Sequence, residues 1–138
     1  CGEQARKRGI QMAYHNHAFE FEEIDGQIPY EVLLERTDEK AVAMELDLYW
    51  VHKAGLDPVD LFEKHPGRFE LWHVKDMDNT PEQFFTEVGN GVIDWKRMFE
   101  HAKKAGMRQF FVEQDRTRVH DPLRSLQISR EYLGKLRY

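Results

Sequence analysis

Four residues able to hold a divalent cation stand at the ends of four short apolar segments. His15 closes "IQMAYH", Asp47 closes "AVAMELD", His73 is set near the end of "ELWHV" and Glu113 closes "QFFVE". Each has an ordinary use. An Asp at a strand end caps the following helix, a buried His bonds a carbonyl, and Glu113 has Arg116 and Arg118 within reach along the chain. Together, a mixed His, Asp and Glu set without cysteine suits manganese, magnesium, cobalt or zinc in a catalytic site. The first of these stretches, "AYHNHAFEF", is the densest in chemistry. It places His17 on the same face as His15 if the backbone stays extended, with Asn16 between them and Glu20 in the loop beyond.

A cation next to a carboxylate and imidazoles is suited to removing a proton beside a carbonyl. The metal stabilises the enediolate oxygen, and a carboxylate such as Glu113 accepts the proton. Return of the proton to the neighbouring carbon isomerises, return to the opposite face epimerises, and loss of a β-hydroxyl dehydrates. Trp50 can wall a sugar ring or pack in the core. Lys75 and Arg116 can hold a phosphate or polar tail, or simply face solvent.

The elements that must position these residues are legible as an alternation. The strand candidates are 10–15, 41–47, 70–74 and 109–113. Between and after them come helices opened by Asp57-Pro58, Asp94 and Asp121-Pro122, with Thr80-Pro81 as a weaker version. Gly9 and Gly106 stand where helices end. Strand–helix alternation implies parallel pairing through crossover helices, with the carboxyl ends of all strands on one side. Four such units make either a small open sheet or half of an eight-unit barrel, and the four strand-end residues converging on one mouth favour the half-barrel. Trp72, alternating with His73, is expected to pack outward beneath the helices. "DMDNTPEQFFTE" has acids at calcium-loop positions, but Pro81 replaces the required glycine. "GNGVID" reads as a turn before the Asp94 cap.

At 138 residues with a formal net charge of −5 and no basic block, the chain suits a small-molecule protein better than a nucleic-acid binder. No apolar run is long enough for a bilayer span. A single cysteine, Cys1, leaves no internal disulfide framework or Cys-rich zinc site. The chain begins without methionine, which leads us to expect a fragment or trimmed chain. The cytoplasm is the expected compartment.

"YHNHAFEF", "MELDLYWVHKAG", "LWHVKDMD", "VGNGVIDW" and "FVEQD", in that order, resemble the xylose isomerase-like TIM barrels. They look most similar to the sugar phosphate isomerases/epimerases of that superfamily, a group that includes inosose dehydratases. The resemblance runs over the whole chain but over only the last four of the family's eight units, so residues 1–138 are expected to be the C-terminal half of a barrel. It implies a divalent metal at the mouth held by Asp47, His73 and Glu113. The family's fourth ligand is usually a glutamate, and here that place falls to His15. Epimerases of the group use two glutamates on opposite sides of the substrate. With only Glu113 in place, Glu20, His17 and Lys75 are the candidates for the second acid/base. The implied activity is a metal-dependent sugar or sugar phosphate isomerase/epimerase. Alternatives are an inosose dehydratase-like lyase and a non-catalytic sugar-binding half-barrel. The superfamily's DNA-repair endonuclease branch fits poorly with the acidic balance. A sugar or polyol is the implied partner, together with a missing N-terminal half or a second copy to close the barrel.

Overall fold

A computed structural model describes residues 1–138. Its elements run α1 (Gly2–Arg6), β1 (Met12–His15), a 3₁₀ turn (Phe19–Phe21), α2 (Pro29–Arg36), β2 (Val42–Asp47), α3 (Leu48–Lys53) and α4 (Pro58–Lys64). They continue through β3 (Leu71–Val74), β4 (Asp76–Met77), β5 (Phe85–Thr86), α5 (Trp95–Glu100), α6 (Ala102–Ala105), β6 (Gln109–Val112) and α7 (Pro122–Leu133). β1, β2, β3 and β6 form one parallel sheet in that order, four βα units as half of a barrel. β4 and β5 form a separate antiparallel hairpin. No helix is long and apolar enough to cross a membrane.

The strand period of two separates the faces. Met44, Leu46, Trp72 and Val74 point to the helix side and are fully buried in the core. Trp72 lies flat on Phe62 of α4, ring centroids 5.1 Å apart, as expected of a residue packed beneath helices. The other face carries His15, Glu45, Asp47 and His73. Register places His15 opposite Glu45 and Asp47 opposite His73, so neighbouring strands bring these side chains side by side.

The helix starts follow local chemistry. Asp57 accepts the N–H of Val59, Asp94 that of Arg97, and Asp121 those of Leu123 and Arg124. Gly106 adopts φ +83° at the end of α6, a conformation open to glycine without strain. Thr80-Pro81 does not open a helix. Asp78 Oδ1 instead accepts from Thr80 N, Thr80 Oγ1 and Phe84 N, folding the segment into the β4–β5 hairpin. The stretch after Asp94 breaks at His101, whose ring contacts the Arg97 carbonyl at 2.8 Å.

Candidate metal and proton-transfer site

Asp47 is the centre of the site. It is fully buried at the β2–α3 junction, and its two oxygens do different work. Oδ1 caps α3 by accepting the Trp50 N–H at 3.0 Å. Oδ2 faces His15 Nε2 at 3.2 Å, Lys75 Nζ at 3.2 Å and His73 Nδ1 at 3.6 Å. Burial alone would raise the Asp47 pKa. The His15 hydrogen bond, the nearby His73 imidazole and the Lys75 charge outweigh it and hold the carboxyl far below its ordinary range.

One ligand atom each from His15, Asp47 and His73 lies within 4.8 Å of the others, a spread that one cation can bridge. Glu113 stands one residue past β6 with Oε2 at 2.9 Å from His73 Nδ1 and 2.8 Å from Lys75 Nζ. The expectation that every strand ends on a candidate ligand needs adjustment by one residue: β3 runs on to Val74 and β6 stops at Val112. The geometry survives, because His73 and Phe111 are in register and Glu113 follows on the same face.

The donor set fits a divalent cation. His73 Nδ1 is buried with no hydrogen-bond partner, since Glu113 approaches it at short distance but without the alignment of a hydrogen bond. Four carboxylates (Glu45, Asp47, Glu113 and Asp115) surround the pair His73 and Lys75 at ion-pair distance. The Glu113 carboxyl is lowered despite the opposing effect of partial burial, by the Lys75 hydrogen bond and charge, so it is ionised at neutral pH.

Asn16, between the two histidines of "YHNH", is buried and stitches β1 to β2. Its Oδ1 accepts the Asp47 N–H at 3.0 Å. His17 is exposed at the mouth, its ring centroid 5.1 Å from His15 and 5.2 Å from Trp50. Trp50 is half-buried and forms a wall there. Arg116 is exposed.

Two expectations change. Glu20 does not overhang the mouth as a free acid. It is buried, accepting from the Tyr14 hydroxyl at 2.9 Å and the His17 N–H at 2.9 Å, so it fixes the loop instead. The half-buried Tyr14 hydroxyl is pushed up to about 12 by desolvation and by this carboxylate. Lys75 neither faces solvent nor reaches a substrate tail. Its side chain is 1% exposed, and its ammonium is held by Asp115 at 2.6 Å, Glu113 and Asp47. Desolvation disfavours that charge, but the three carboxylates more than compensate and raise its pKa.

Residues that sequence reasoning passed over are Glu45, whose Oε1 lies 3.2 Å from His73 Nε2, and Asp115. Alternation with Asp47 was the available signal for Glu45. Asp76 is the third. Its buried carboxylate accepts from Gly89 N, Gly91 N, Ile93 N and the Trp95 indole, which makes "GNGVID" a clamp on the hairpin as well as a turn. None of the surface clefts includes His15, Asp47, His73 or Glu113.

The family model described as "Xylose isomerase-like TIM barrel" matches residues 1–136. The chain belongs to this family. Among xylose isomerase-like TIM barrels, an inosose dehydratase of Geobacillus thermodenitrificans is 30% identical over 96% of this chain and 50% of its own length. A sugar phosphate isomerase/epimerase structure from Parabacteroides distasonis superposes with TM-score 0.84 at 30% identity, over 96% of this chain and 47% of that one. A structure of the IolI protein with a bound zinc atom shares the fold, with TM-score 0.69 at 18% identity over 95% and 50%. The chain thus spans about half the length of the relatives it matches.

Proposed function

We propose that this chain carries the metal-binding and proton-transfer residues of a sugar or polyol isomerase/epimerase that works by removing a proton next to a carbonyl. The observation that carries the reading is Glu113. It is an ionised carboxylate, 38% exposed, adjoining a three-residue cation cluster. His15, Asp47 and His73, with Glu113 beside them, would hold the cation. When bound, manganese, magnesium, cobalt or zinc supplies positive charge for an oxygen on which negative charge develops.

The chain's own residues do the rest. The proton leaves the carbon for a Glu113 oxygen while the electron pair moves to the carbonyl oxygen. Lys75, anchored by Asp115, keeps Glu113 ionised and oriented. His17 is the exposed group at the mouth beside His15 and Trp50, and it is the second acid/base. Trp50 walls the sugar, and Arg116 meets a polar or phosphorylated tail.

The inosose dehydratase reading shares the first step and is supported by 30% identity to such an enzyme, the same identity that a sugar phosphate isomerase/epimerase structure shows. In the dehydratase reading His17 would protonate the departing hydroxyl. The test is incubation with divalent cation and either ketoses or inosose in deuterium oxide. Deuterium entering the substrate carbon, lost in Glu113→Gln, supports the reading; a dehydrated product selects the lyase. No exchange in any substrate with cation bound would leave a sugar-binding half-barrel.

We further infer that residues 1–138 are the C-terminal half of a closed barrel whose preceding half supplies the missing wall. Both outer strands of the sheet, β1 and β6, have an unpaired edge, and Ile10, Met12, Phe110 and Phe111 are exposed along them. Closure removes such edges.

A further inference from the structure

Glu45 has no role in the fold that its surroundings explain. It is a half-buried acid on the inner face of β2, and His73 is the group its carboxylate meets, Oε1 to Nε2 at 3.2 Å. It lies outside the cluster formed by His15, Asp47 and His73. The two nitrogens of the His73 ring therefore have different surroundings. Nε2 faces an acid that is not part of the cluster. Nδ1 is buried, lacks an aligned hydrogen-bond partner and faces Glu113 Oε2 at 2.9 Å and Asp47 Oδ2 at 3.6 Å, the two carboxylates that would share a cation with it. A neutral imidazole carries one proton, and the nitrogen without it has the lone pair that binds metal.

We propose that Glu45 is a positioning residue that keeps the His73 proton on Nε2 and so presents Nδ1 to the cation. This rests on the metal reading given above. An outer carboxylate of this kind fixes both the tautomer and the ring orientation of a ligating histidine, and its loss typically weakens metal binding by about 10–100-fold. Strand register puts Glu45 there. It pairs with Leu71, two residues before His73 on the same face, so its side chain approaches the imidazole from below while Asp47 approaches level with it.

The experiment uses the chain labelled with ¹⁵N-histidine, at a pH where the imidazole is neutral, with zinc as the probe. Long-range ¹H–¹⁵N spectra read the His73 tautomer, assigned with His73→Gln, and competition with a chromophoric chelator reads zinc affinity. The wild type and Glu45→Gln, whose amide oxygen can accept from Nε2–H, are expected to show the Nε2–H tautomer and a zinc-induced shift at Nδ1. Glu45→Ala is expected to show mixed tautomers and zinc affinity lower by about 10–100-fold, with an unchanged thermal melt. An Nδ1–H tautomer, a zinc shift at Nε2, or wild-type zinc affinity in Glu45→Ala overturns the proposal while the metal site stands. Failure of the wild type to bind zinc overturns the ligand assignment together with the metal site itself.

Discussion

The side chain of Asn16 pairs with the backbone of Asp47: Oδ1 accepts the Asp47 N–H at 3.0 Å, and Nδ2 faces the Asp47 carbonyl at 3.5 Å. A residue at the end of one strand thereby holds the backbone from which the central carboxylate of the next projects. Asn16→Ala leaves a buried N–H unpaired, which costs about 1–3 kcal/mol. Urea denaturation is expected to show that loss, and zinc affinity to fall with it. Unchanged values for both would separate Asn16 from the site.

Lys75→Met removes the one ammonium among Asp47, Glu113 and Asp115. Breaking a fully buried pair costs about 3–5 kcal/mol, and the partial exposure of Glu113 and Asp115 makes the expected loss smaller. The deficit should be visible in denaturation at neutral pH and shrink under acid conditions, as the carboxylates protonate. A variant as stable as wild type at neutral pH would contradict this account of Lys75.

Asp57 caps α4 and meets Arg97 through two hydrogen bonds, at 3.1 and 2.7 Å. The Arg97 hydrogen bonds, opposed by partial desolvation, lower the Asp57 carboxyl below its ordinary value. A lowered folded pKa adds stability that is present above the unfolded value and is lost as pH falls through the folded one. Thermal melts below about pH 4 should therefore show a smaller acid-dependent loss in Asp57→Asn than in wild type. Parallel acid profiles would refute it.

A Cβ on Gly91 would lie 2.2 Å from Asp76 Oδ1 and 2.3 Å from the Met77 carbonyl. Both are fixed by the clamp, so Gly91→Ala must displace the loop, and a destabilisation above about 2 kcal/mol is expected. Tryptophan fluorescence should report it, because the Trp95 indole donates to Asp76 at 2.8 Å. Retention of the native spectrum and stability would show that the loop yields cheaply.

The unpaired strand edges predict concentration-dependent association of the isolated chain in sedimentation velocity. Met12→Lys and Phe111→Lys are expected to reduce it, since edge charges oppose strand pairing. A strictly monomeric wild type at all concentrations would count against an obligatory missing wall.

Features set by neighbouring residues were legible in the sequence. The Asp57, Asp94 and Asp121 caps each act within three residues, and the inward alternation of His15, Asp47 and His73 follows from strand period. Features requiring distant partners were not. Lysine is ordinarily a surface residue, and only the convergence of three carboxylates from β2 and the segment after β6 buries Lys75. Asp76 depends on amides 13 to 17 residues ahead. Glu20 turned inward because Tyr14, six residues back, offers it a hydroxyl donor.

The order of the strands in the sheet follows their order along the chain. Each strand of the sheet pairs with its neighbour in the series β1, β2, β3, β6, and the last carries Glu113 and Asp115 just past its end. A chain emerging from the ribosome exposes His15, Asp47 and His73 before these two acids exist. Until β6 docks, Lys75 lacks two of its three counter-charges and the cation cluster lacks the neighbouring base. The carboxylate set around His73 and Lys75 is therefore complete only once β6 is in place.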